Sequence, residues 1–200
     1  MIETGKNSNY AINILMDGGI VAIPTETVYG LACNALDEEA VNKVFKIKKR
    51  PKNNPLICHT DSIKKIKKFV LNFPKDAEII AKKFWPGPIP VLLKKNNIIP
   101  DLTTSNSEYV AFRIPDNKYT LNILKELDFP LAAPSANKFE YISPTHPDHV
   151  NLNFNEGEVD YILDDGNCSI GIESTIVSFE NNELIYIDWE ELPMKKLLRV

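Results

Sequence analysis

Short apolar runs alternate with longer amphipathic segments along the whole chain. Apolar residues spaced three and four positions apart predict helices, because such positions share one face of a helix. Apolar runs of a few residues, bounded by proline, glycine or polar clusters, predict buried strands. The predicted helices lie near residues 8–17, 38–48, 62–70, 74–85 and 118–127, and the predicted strands near residues 20–23, 55–58, 91–93, 110–114, 130–133, 161–163, 174–179 and 184–187.

Residues between these segments suit helix ends and indicate how the elements are combined. Gly18-Gly19 stops the first helix, while Asp37 and Asp61 suit the N-caps of the next two. The order mixes strand–helix units with a closing antiparallel pair. We therefore expect an α+β (mixed α/β) fold in which helices pack on a mixed parallel and antiparallel sheet. One domain over residues 1–200, with a short C-terminal tail from about residue 190, suits this length.

Composition narrows the class of protein. A hydrophobic share of 44% with 25% charged residues is typical of globular domains. The net charge of -4 argues against bulk electrostatic binding of nucleic acid, but it allows a local cationic pocket. We find no apolar run near the roughly 20 residues of a membrane span and no signal-peptide pattern, so we expect a cytoplasmic protein without membrane association. Cys33, Cys58 and Cys168 form no CxxC pair and are expected to be buried, reduced thiols.

Cations gather where the second helix ends. Lys46, Lys48, Lys49, Arg50 and Lys52 could simply complement the negative end of the helix dipole. However, the chain re-enters the sheet within a few residues, which would bring Lys48 and Arg50 to a sheet edge. Arginine offers a planar fork to phosphate or carboxylate, and lysine offers a compact charge. Both interpretations remain open from these residues alone.

Arg113 interrupts an otherwise apolar strand, Val110–Pro115. A buried charge is costly unless it is paired, so either an acidic residue of the protein or a ligand carboxylate must satisfy this guanidinium. The short polar segment Pro134–Asn137 also follows an apolar strand. It could be an ordinary turn, or the end of a strand where ligands commonly dock.

Several common motifs are missing from the sequence or poorly formed in it. There is no G-x-x-x-x-G-K-[ST] phosphate loop, no G-x-G-x-x-G dinucleotide loop and no G-x-S-x-G elbow. The segment His146–His149 contains a proline and lacks a nearby third ligand, so we expect no protein metal site there. The run Lys64–Lys68 is interpreted as the solvated face of a helix rather than an RNA-binding patch.

Six segments, in order, resemble the motifs of the YrdC-type threonylcarbamoyl-AMP synthases. They are Pro24–Leu31, Lys48-x-Arg50-Pro51 running to His59, Trp85–Pro88, Val110–Pro115, Pro134–Asn137, and Asp165-Gly166 with Gly171–Thr175. The resemblance implies a YrdC-like fold, a twisted mixed sheet with a central cationic cavity. It also implies a nucleotidyltransferase that joins L-threonine, bicarbonate and ATP into threonylcarbamoyl-AMP and releases pyrophosphate. The product would pass to a separate transferase for threonylcarbamoyladenosine modification at position 37 of tRNA, so tRNA binding by this chain is expected to be weak or indirect.

The resemblance also implies roles for individual residues. The residues expected to hold threonine are Thr27, His59, Arg113, Ala133 and Ser174. Those expected on the ATP side are Lys48, Arg50, Asn54, Tyr109, Ser135, Asn137 and Ser143, with Lys48 and Arg50 as the catalytic cations. Thr25 and Tyr29 would shape the pocket between the two ends. Mg²⁺ would enter with ATP, held mostly by phosphates and water.

Two departures and two alternatives accompany this interpretation. Some relatives append another domain after a linker, and this sequence is expected to resemble the single-domain form instead. Many relatives carry an arginine in the last strand that reaches the nucleotide, and equal-length alignment from Ser174 puts Asp188 at that position. A similar domain serves as a carbamoyl-transfer module in larger hydrogenase-maturation proteins, which add zinc-finger and acylphosphatase-like segments that this sequence does not contain. A non-enzymatic binder of double-stranded RNA is the second alternative, and the acidic balance weakens it.

Overall fold

The computed structural model describes residues 1–180 and 183–187, and it places helices and strands in a mixed order. The helices are α1 (Ser8–Met16), α2 (Glu38–Lys48), α3 (Ile63–Ile66), α4 (Lys75–Phe84), α5 (Lys118–Glu126) and α6 (Pro147–Asn153). The strands are β1 (Thr4–Gly5), β2 (Val21–Ile23), β3 (Gly30–Asn34), β4 (Cys58–His59), β5 (Val91–Lys94), β6 (Tyr109–Arg113), β7 (Leu131–Ala132), β8 (Tyr161–Leu163), β9 (Ile176–Glu180) and β10 (Glu183–Ile187). Asp188 and the tail expected from about residue 190 lie outside the described residues.

The strands form one sheet in the order β1-β8-β2-β3-β7-β4-β6-β5-β9-β10. Four neighbouring pairs are parallel, namely β1/β8, β2/β8, β4/β6 and β5/β9. The other five pairs are antiparallel, including the closing pair β9/β10. The prediction of a mixed sheet with packed helices and a terminal antiparallel pair is therefore confirmed.

The sheet separates two apolar clusters. Along β3, Leu31 and Cys33 belong to the cluster that α2 covers, whereas Ala32 belongs to the cluster of α1 and α5. This alternation follows from the two-residue period of a strand, which directs successive side chains to opposite faces. Because both faces are covered by apolar side chains, polar residues at the strand ends remain the natural lining of a site.

The helix ends confirm one predicted cap and correct another. Asp37 caps α2, since its Oδ1 accepts hydrogen bonds from Glu39 N (2.9 Å) and Ala40 N (3.2 Å). Asp61 does not cap α3. Ser62 is the N-cap, with its Oγ accepting from Lys65 N, and Asp61 instead pairs with Lys65 Nζ at 2.6 Å. The helix predicted over residues 62–70 is also shorter, because the chain turns after Ile66.

The three cysteines form no disulfide bond within the described part of the chain. Cys33, Cys58 and Cys168 are free, and the first two are fully buried while Cys168 is only partly buried. Burial raises the pKa of the Cys58 thiol to about 12 and that of Cys168 to about 11, so both thiols are protonated at neutral pH.

Over residues 1–180 and 183–187, every helix is too short or too polar to span a membrane.

Candidate active site

A hydroxyl-rich turn follows β2 and is satisfied largely by its own groups. Thr25 Oγ1 donates to Val28 O at 2.6 Å and accepts from the backbone N–H groups of Thr27 and Val28, both at 3.2 Å. Such side chain to backbone bonds fix a turn without help from the rest of the sheet. The turn thus presents the buried hydroxyl of Thr27, 3.0 Å from Thr25 Oγ1, at the start of a cavity.

Tyr29 is buried behind this turn rather than exposed in a cavity. Its hydroxyl donates to Gly166 O at 2.8 Å and accepts from Asp165 N at 3.2 Å. The same loop is held by Ile170 N, which donates to Glu26 O at 2.8 Å. Tyr29 therefore shapes the site indirectly, because it fixes the loop that leads to Ser174.

A small cavity of about 60 Å³ lies where β4, β6 and β7 meet. Its lining includes Thr25 and all five residues predicted for threonine, which are Thr27, His59, Arg113, Ala133 and Ser174. Sheet register explains the meeting, since β4 pairs with both β6 and β7 and sets His59 beside Arg113 and Leu131. The two-residue strands β4 and β7 end here and leave room for polar side chains.

His59 is neutral at this site. Burial, and then the nearby charge of Arg113, lowers the pKa of its imidazole to about 3. Its Nδ1 is buried and has no hydrogen-bond partner within the described part of the chain. An unpartnered buried nitrogen is costly, so a ligand that bonded to it would remove that cost.

Arg113 is fixed by contacts with other residues of the protein, and it also lines the cavity. Its Nη2 lies 2.7 Å from Glu26 Oε2, and its Nε donates to Gly87 O at 3.1 Å. The side chains of Arg113 and Glu26 are each 4% exposed. The internal ion pair that the sequence left open is therefore present, and Arg113 still lines the cavity.

A larger cavity of about 710 Å³ adjoins the first. Five of its lining residues were predicted for the ATP side: Lys48, Arg50, Asn54, Ser135 and Asn137. The two cavities share Ile57, Pro134, Ser135 and Glu173, so they form the two ends of one site. The volume of the larger cavity lies within the range of typical small-molecule pockets.

Lys48 joins the end of α2 to the loop after β7. Its Nζ donates to Ser135 O and Asn137 O, both at 2.5 Å, and the residue is 1% exposed. Burial, with a smaller effect of Arg50, lowers the pKa of Lys48 to about 7. One of the last carbonyls of α2 is contacted instead by Lys138, whose Nζ donates to Ile47 O at 2.8 Å. Complementing the helix dipole is thus the role of Lys138 rather than Lys48.

Arg50 is fixed by the loop that returns to β4. Its Nε donates to Asn54 O at 2.9 Å, and its Nη2 donates to Asn54 Oδ1 at 2.5 Å and to Pro55 O at 3.0 Å. Burial lowers the pKa of Arg50 to about 10, which leaves it charged at neutral pH. A fixed guanidinium and a neighbouring ammonium form a site suited to phosphate.

Two predicted ATP-side residues line neither cavity. Tyr109 is 44% exposed at the start of β6 and lines neither cavity. Ser143 lies near the rim, where its Oγ donates to Glu173 Oε1. The roles of both residues in ATP binding stay predictions.

Three residues with clear positions in the site were not singled out from the sequence. Glu26 forms an ion pair with Arg113, and Gly87 O accepts a hydrogen bond from Arg113 Nε. Glu173 lines both cavities. Each belongs to a quoted motif, but the motif alone does not indicate the direction of a side chain. An acid between two threonines in an apolar setting was the one available signal for Glu26, because a buried carboxylate requires a partner.

The arrangement can bind an anion at each end. The small end offers a guanidinium, a neutral imidazole and two hydroxyls, which suit the carboxylate and hydroxyl of a small polar molecule. The large end offers Lys48 and Arg50, which suit a chain of phosphates. The shared walls would set two such ligands close enough to react.

Comparisons with known proteins agree with this geometry. The Sua5/YciO/YrdC family model, described as "Telomere recombination", matches residues 13–187. The threonylcarbamoyl-AMP synthase of Pyrococcus abyssi is 38% identical over 190 residues, covering 95% of this chain and 56% of that protein. The protein of the same name from Bacillus subtilis is 39% identical over 169 residues, covering 84% of this chain and 49% of that protein.

A solved structure extends the comparison to three dimensions. The crystal structure of P. abyssi Sua5 complexed with L-threonine matches with a TM-score of 0.88 at 37% identity, covering 93% of this chain and 56% of that chain. This chain therefore spans about half the length of these relatives. The family match, the identities and the shared fold lead to one conclusion: the chain belongs to the Sua5/YciO/YrdC family.

Proposed function

We propose that the protein is a nucleotidyltransferase that converts L-threonine, bicarbonate and ATP into threonylcarbamoyl-AMP and pyrophosphate. The observation that carries this proposal is the single two-ended site, with Arg113 and His59 at its small end and Lys48 and Arg50 at its large end. Two relatives are named threonylcarbamoyl-AMP synthases, and a solved relative contains L-threonine.

Threonine would occupy the small end. Its carboxylate suits the free part of the Arg113 guanidinium, and the hydroxyls of Thr27 and Ser174 suit its polar groups. The unpartnered Nδ1 of His59 supplies one further hydrogen bond. The backbone at Ala133 closes the wall beside it. Because the imidazole is neutral, it adds no second cation beside Arg113.

The reaction would begin with the amine of threonine and bicarbonate, which form a carbamate and release water. A carbamate oxygen then attacks the α-phosphorus of ATP. The new O–P bond forms as the bond between the α-phosphorus and its bridging oxygen breaks, and the electron pair leaves with pyrophosphate. Lys48 and Arg50 would stabilise the charge that develops on the phosphates. An enclosed pocket would protect the carbamate from water.

The site has oxygen atoms suited to the Mg²⁺ that accompanies ATP. Asn137 Oδ1 is buried without a hydrogen-bond partner among the described residues, and the Glu173 carboxylate lines the junction. Mg²⁺ prefers oxygen ligands and is commonly held by one or two protein groups together with phosphates and water. Bound Mg²⁺ would neutralise phosphate charge, while Asn137 and Glu173 would orient it.

We further propose a place for the product and for the protein. The product is a mixed anhydride of a carbamate and a phosphate, which is labile and would have to be used soon after it forms. A separate tRNA threonylcarbamoyl transferase would consume it. Binding of tRNA by this chain itself would therefore be weak or indirect. A cytoplasmic location agrees with that role. Binding of double-stranded RNA without catalysis is the rival function, and it predicts a strong salt dependence of RNA affinity.

Pyrophosphate release tests the proposal. ATP with both L-threonine and bicarbonate should release pyrophosphate, and omission of either substrate should reduce the rate to background. Release that is equal without threonine would contradict the proposal. Carbamoyl phosphate in place of bicarbonate and threonine is the control for the carbamoyl-transfer alternative, and it should give no more than the background rate.

A further inference from the structure

We propose that Glu26 is a positioning residue that sets the orientation of Arg113 for the threonine carboxylate. This inference rests on the proposed function, because it assigns a role at the threonine end of the same site. Glu26 Oε2 lies 2.7 Å from Arg113 Nη2, and both side chains are almost completely buried. Glu26 lines neither cavity, so it acts through Arg113 rather than on a ligand.

Glu26 is itself fixed by two hydrogen bonds, one to its carboxylate and one to its backbone oxygen. Its Oε2 also accepts from Asp116 N at 3.1 Å, which ties it to the segment that follows β6. Its backbone oxygen accepts from Ile170 N at 2.8 Å, in the loop that leads to Ser174. Glu26 therefore connects the strand of Arg113 with the loop of Ser174, the two segments that line the threonine end from different sides.

The guanidinium is held along one edge only. Its Nε donates to Gly87 O at 3.1 Å and its Nη2 faces Glu26, while Nη1 makes no hydrogen bond within the described part of the protein. The turn that places Gly87 O here requires glycine, because an added Cβ would lie 2.1 Å from Phe84 O. Nε is bonded to Gly87 O, and Nη2 is paired with Glu26 without forming a hydrogen bond of its own, so the edge formed by Nη1 and Nη2 remains available to a second carboxylate.

The pairing has a physical reason beyond stability. An unpaired guanidinium that is 3% exposed would carry a large desolvation cost and would adopt other rotamers that reach water. A fixed carboxylate removes that cost before the ligand arrives, so little side-chain ordering remains to oppose binding. Glu26 also makes the Arg113–Glu26 pair neutral overall. Recognition of threonine then depends on the geometry of the free edge rather than on a strong unscreened charge.

The first test is Glu26→Gln, which keeps the size of the side chain and removes its charge. The expected result is a rise of about 10-fold or more in the Kd of L-threonine by calorimetry and in its KM, since the carboxylate charge that orients Arg113 is removed. The affinity for ATP and kcat at saturating threonine should stay near those of the parent. The matched control is Glu78→Gln, which breaks an exposed pair with Lys82 and should change none of these quantities.

A double-mutant cycle separates positioning from a general loss of structure. In an Arg113→Lys background, Glu26→Gln should add little to the loss of threonine affinity, because the residue through which it acts is already changed. Fully additive losses would overturn the inference. So would a Glu26→Gln variant that melts at a lower temperature but binds threonine like the parent. A parent protein that neither binds threonine nor releases pyrophosphate would instead refute the proposed function.

Discussion

The parallel register of β4 and β6 pairs His59 with Arg113, and both side chains line the same small cavity. The charge of Arg113 adds to burial in lowering the pKa of His59 to about 3. His59 and Arg113 thus present one neutral hydrogen-bonding ring and one guanidinium whose charge is paired with Glu26. That combination suits a ligand with one carboxylate and further polar groups.

Arg113→Lys should impair the threonine end selectively. Lysine can keep a charge near Glu26, but it cannot reproduce the fork that holds two oxygens. We expect the KM for L-threonine to rise by about 10-fold or more, because a charged hydrogen bond is lost. ATP binding measured without threonine should remain close to that of the parent. A large fall in melting temperature with unchanged threonine affinity would show that Arg113 serves only the ion pair with Glu26.

Arg50→Ala should weaken the phosphate end. Its guanidinium is fixed by Asn54 and Pro55, so its removal takes away a preorganised charge. We expect the Kd for ATP to rise by about 10-fold or more, as charged hydrogen bonds of this kind contribute roughly 1.5–3 kcal/mol. Lys48→Ala should have a similar or milder effect.

Lys46→Ala is the matched control for both phosphate-end variants, because Lys46 lies in the last turn of α2 with its side chain exposed. If only the helix dipole mattered, all three substitutions would have comparable small effects. Parental ATP kinetics in both Arg50→Ala and Lys48→Ala would contradict the assignment of these residues to ATP.

ATP affinity should depend on pH through Lys48. Its pKa of about 7 lies below the ordinary value, because burial and then Arg50 disfavour the charged form, although Glu173 partly opposes this. The ammonium is therefore present below about pH 7 and is lost as the pH rises. Between about pH 6 and about pH 8.5, the parent should lose ATP affinity relative to Lys48→Ala. This difference cancels the titration of ATP itself, and a difference that does not change with pH would refute the assignment.

The same shift has the opposite sign for folding. Lys48 binds fewer protons in the folded than in the unfolded protein between about pH 7 and about pH 10.5, so its contribution to the free energy of unfolding should rise with pH across that range. Chemical denaturation of the parent and Lys48→Ala at several pH values measures this contribution. A contribution that falls with rising pH would show that the Lys48 pKa is not lowered.

Tyr29→Phe should loosen the loop that leads to Ser174. The substitution removes the hydroxyl that donates to Gly166 O and accepts from Asp165 N, at a cost of about 1 kcal/mol. Amide hydrogen exchange should increase in residues 165–171. Tyr161→Phe is the matched control, because its hydroxyl accepts from Asn7 N elsewhere in the fold. Equal exchange in that loop for both variants would remove the proposed anchoring role of Tyr29.

The sequence predicted the larger elements and much of the site for physical reasons. Amphipathic helices such as α2 and α5 carry their own periodicity, and Asp37 carries a recognisable cap. The shortest elements were missed or shifted, because a few residues cannot show a periodicity. The two-residue strand β1 is an example. Strand β3 was also missed, since the sequence of Gly30–Asn34 continues a turn without an evident break.

Side-chain partners were the least predictable part. Glu26 and Arg113 are far apart in the sequence, and only the meeting of β6 with the turn after β2 brings them together. Asp61 and Ser62 compete for the same cap, and local backbone geometry decides between them. Tyr109 begins the strand that ends at Arg113, yet Tyr109 is exposed whereas Arg113 is buried. These outcomes depend on contacts between distant segments, which periodicity does not report.

The most direct measurement follows a labelled carbon from bicarbonate into the product. The protein is incubated with ATP, L-threonine and carbon-13 bicarbonate, and the nucleotide products are analysed by mass spectrometry. We expect a threonylcarbamoyl-AMP peak that is one mass unit heavier than with unlabelled bicarbonate and that disappears without threonine. Pyrophosphate release without any such labelled product would contradict the central claim that this two-ended site joins threonine, bicarbonate and ATP.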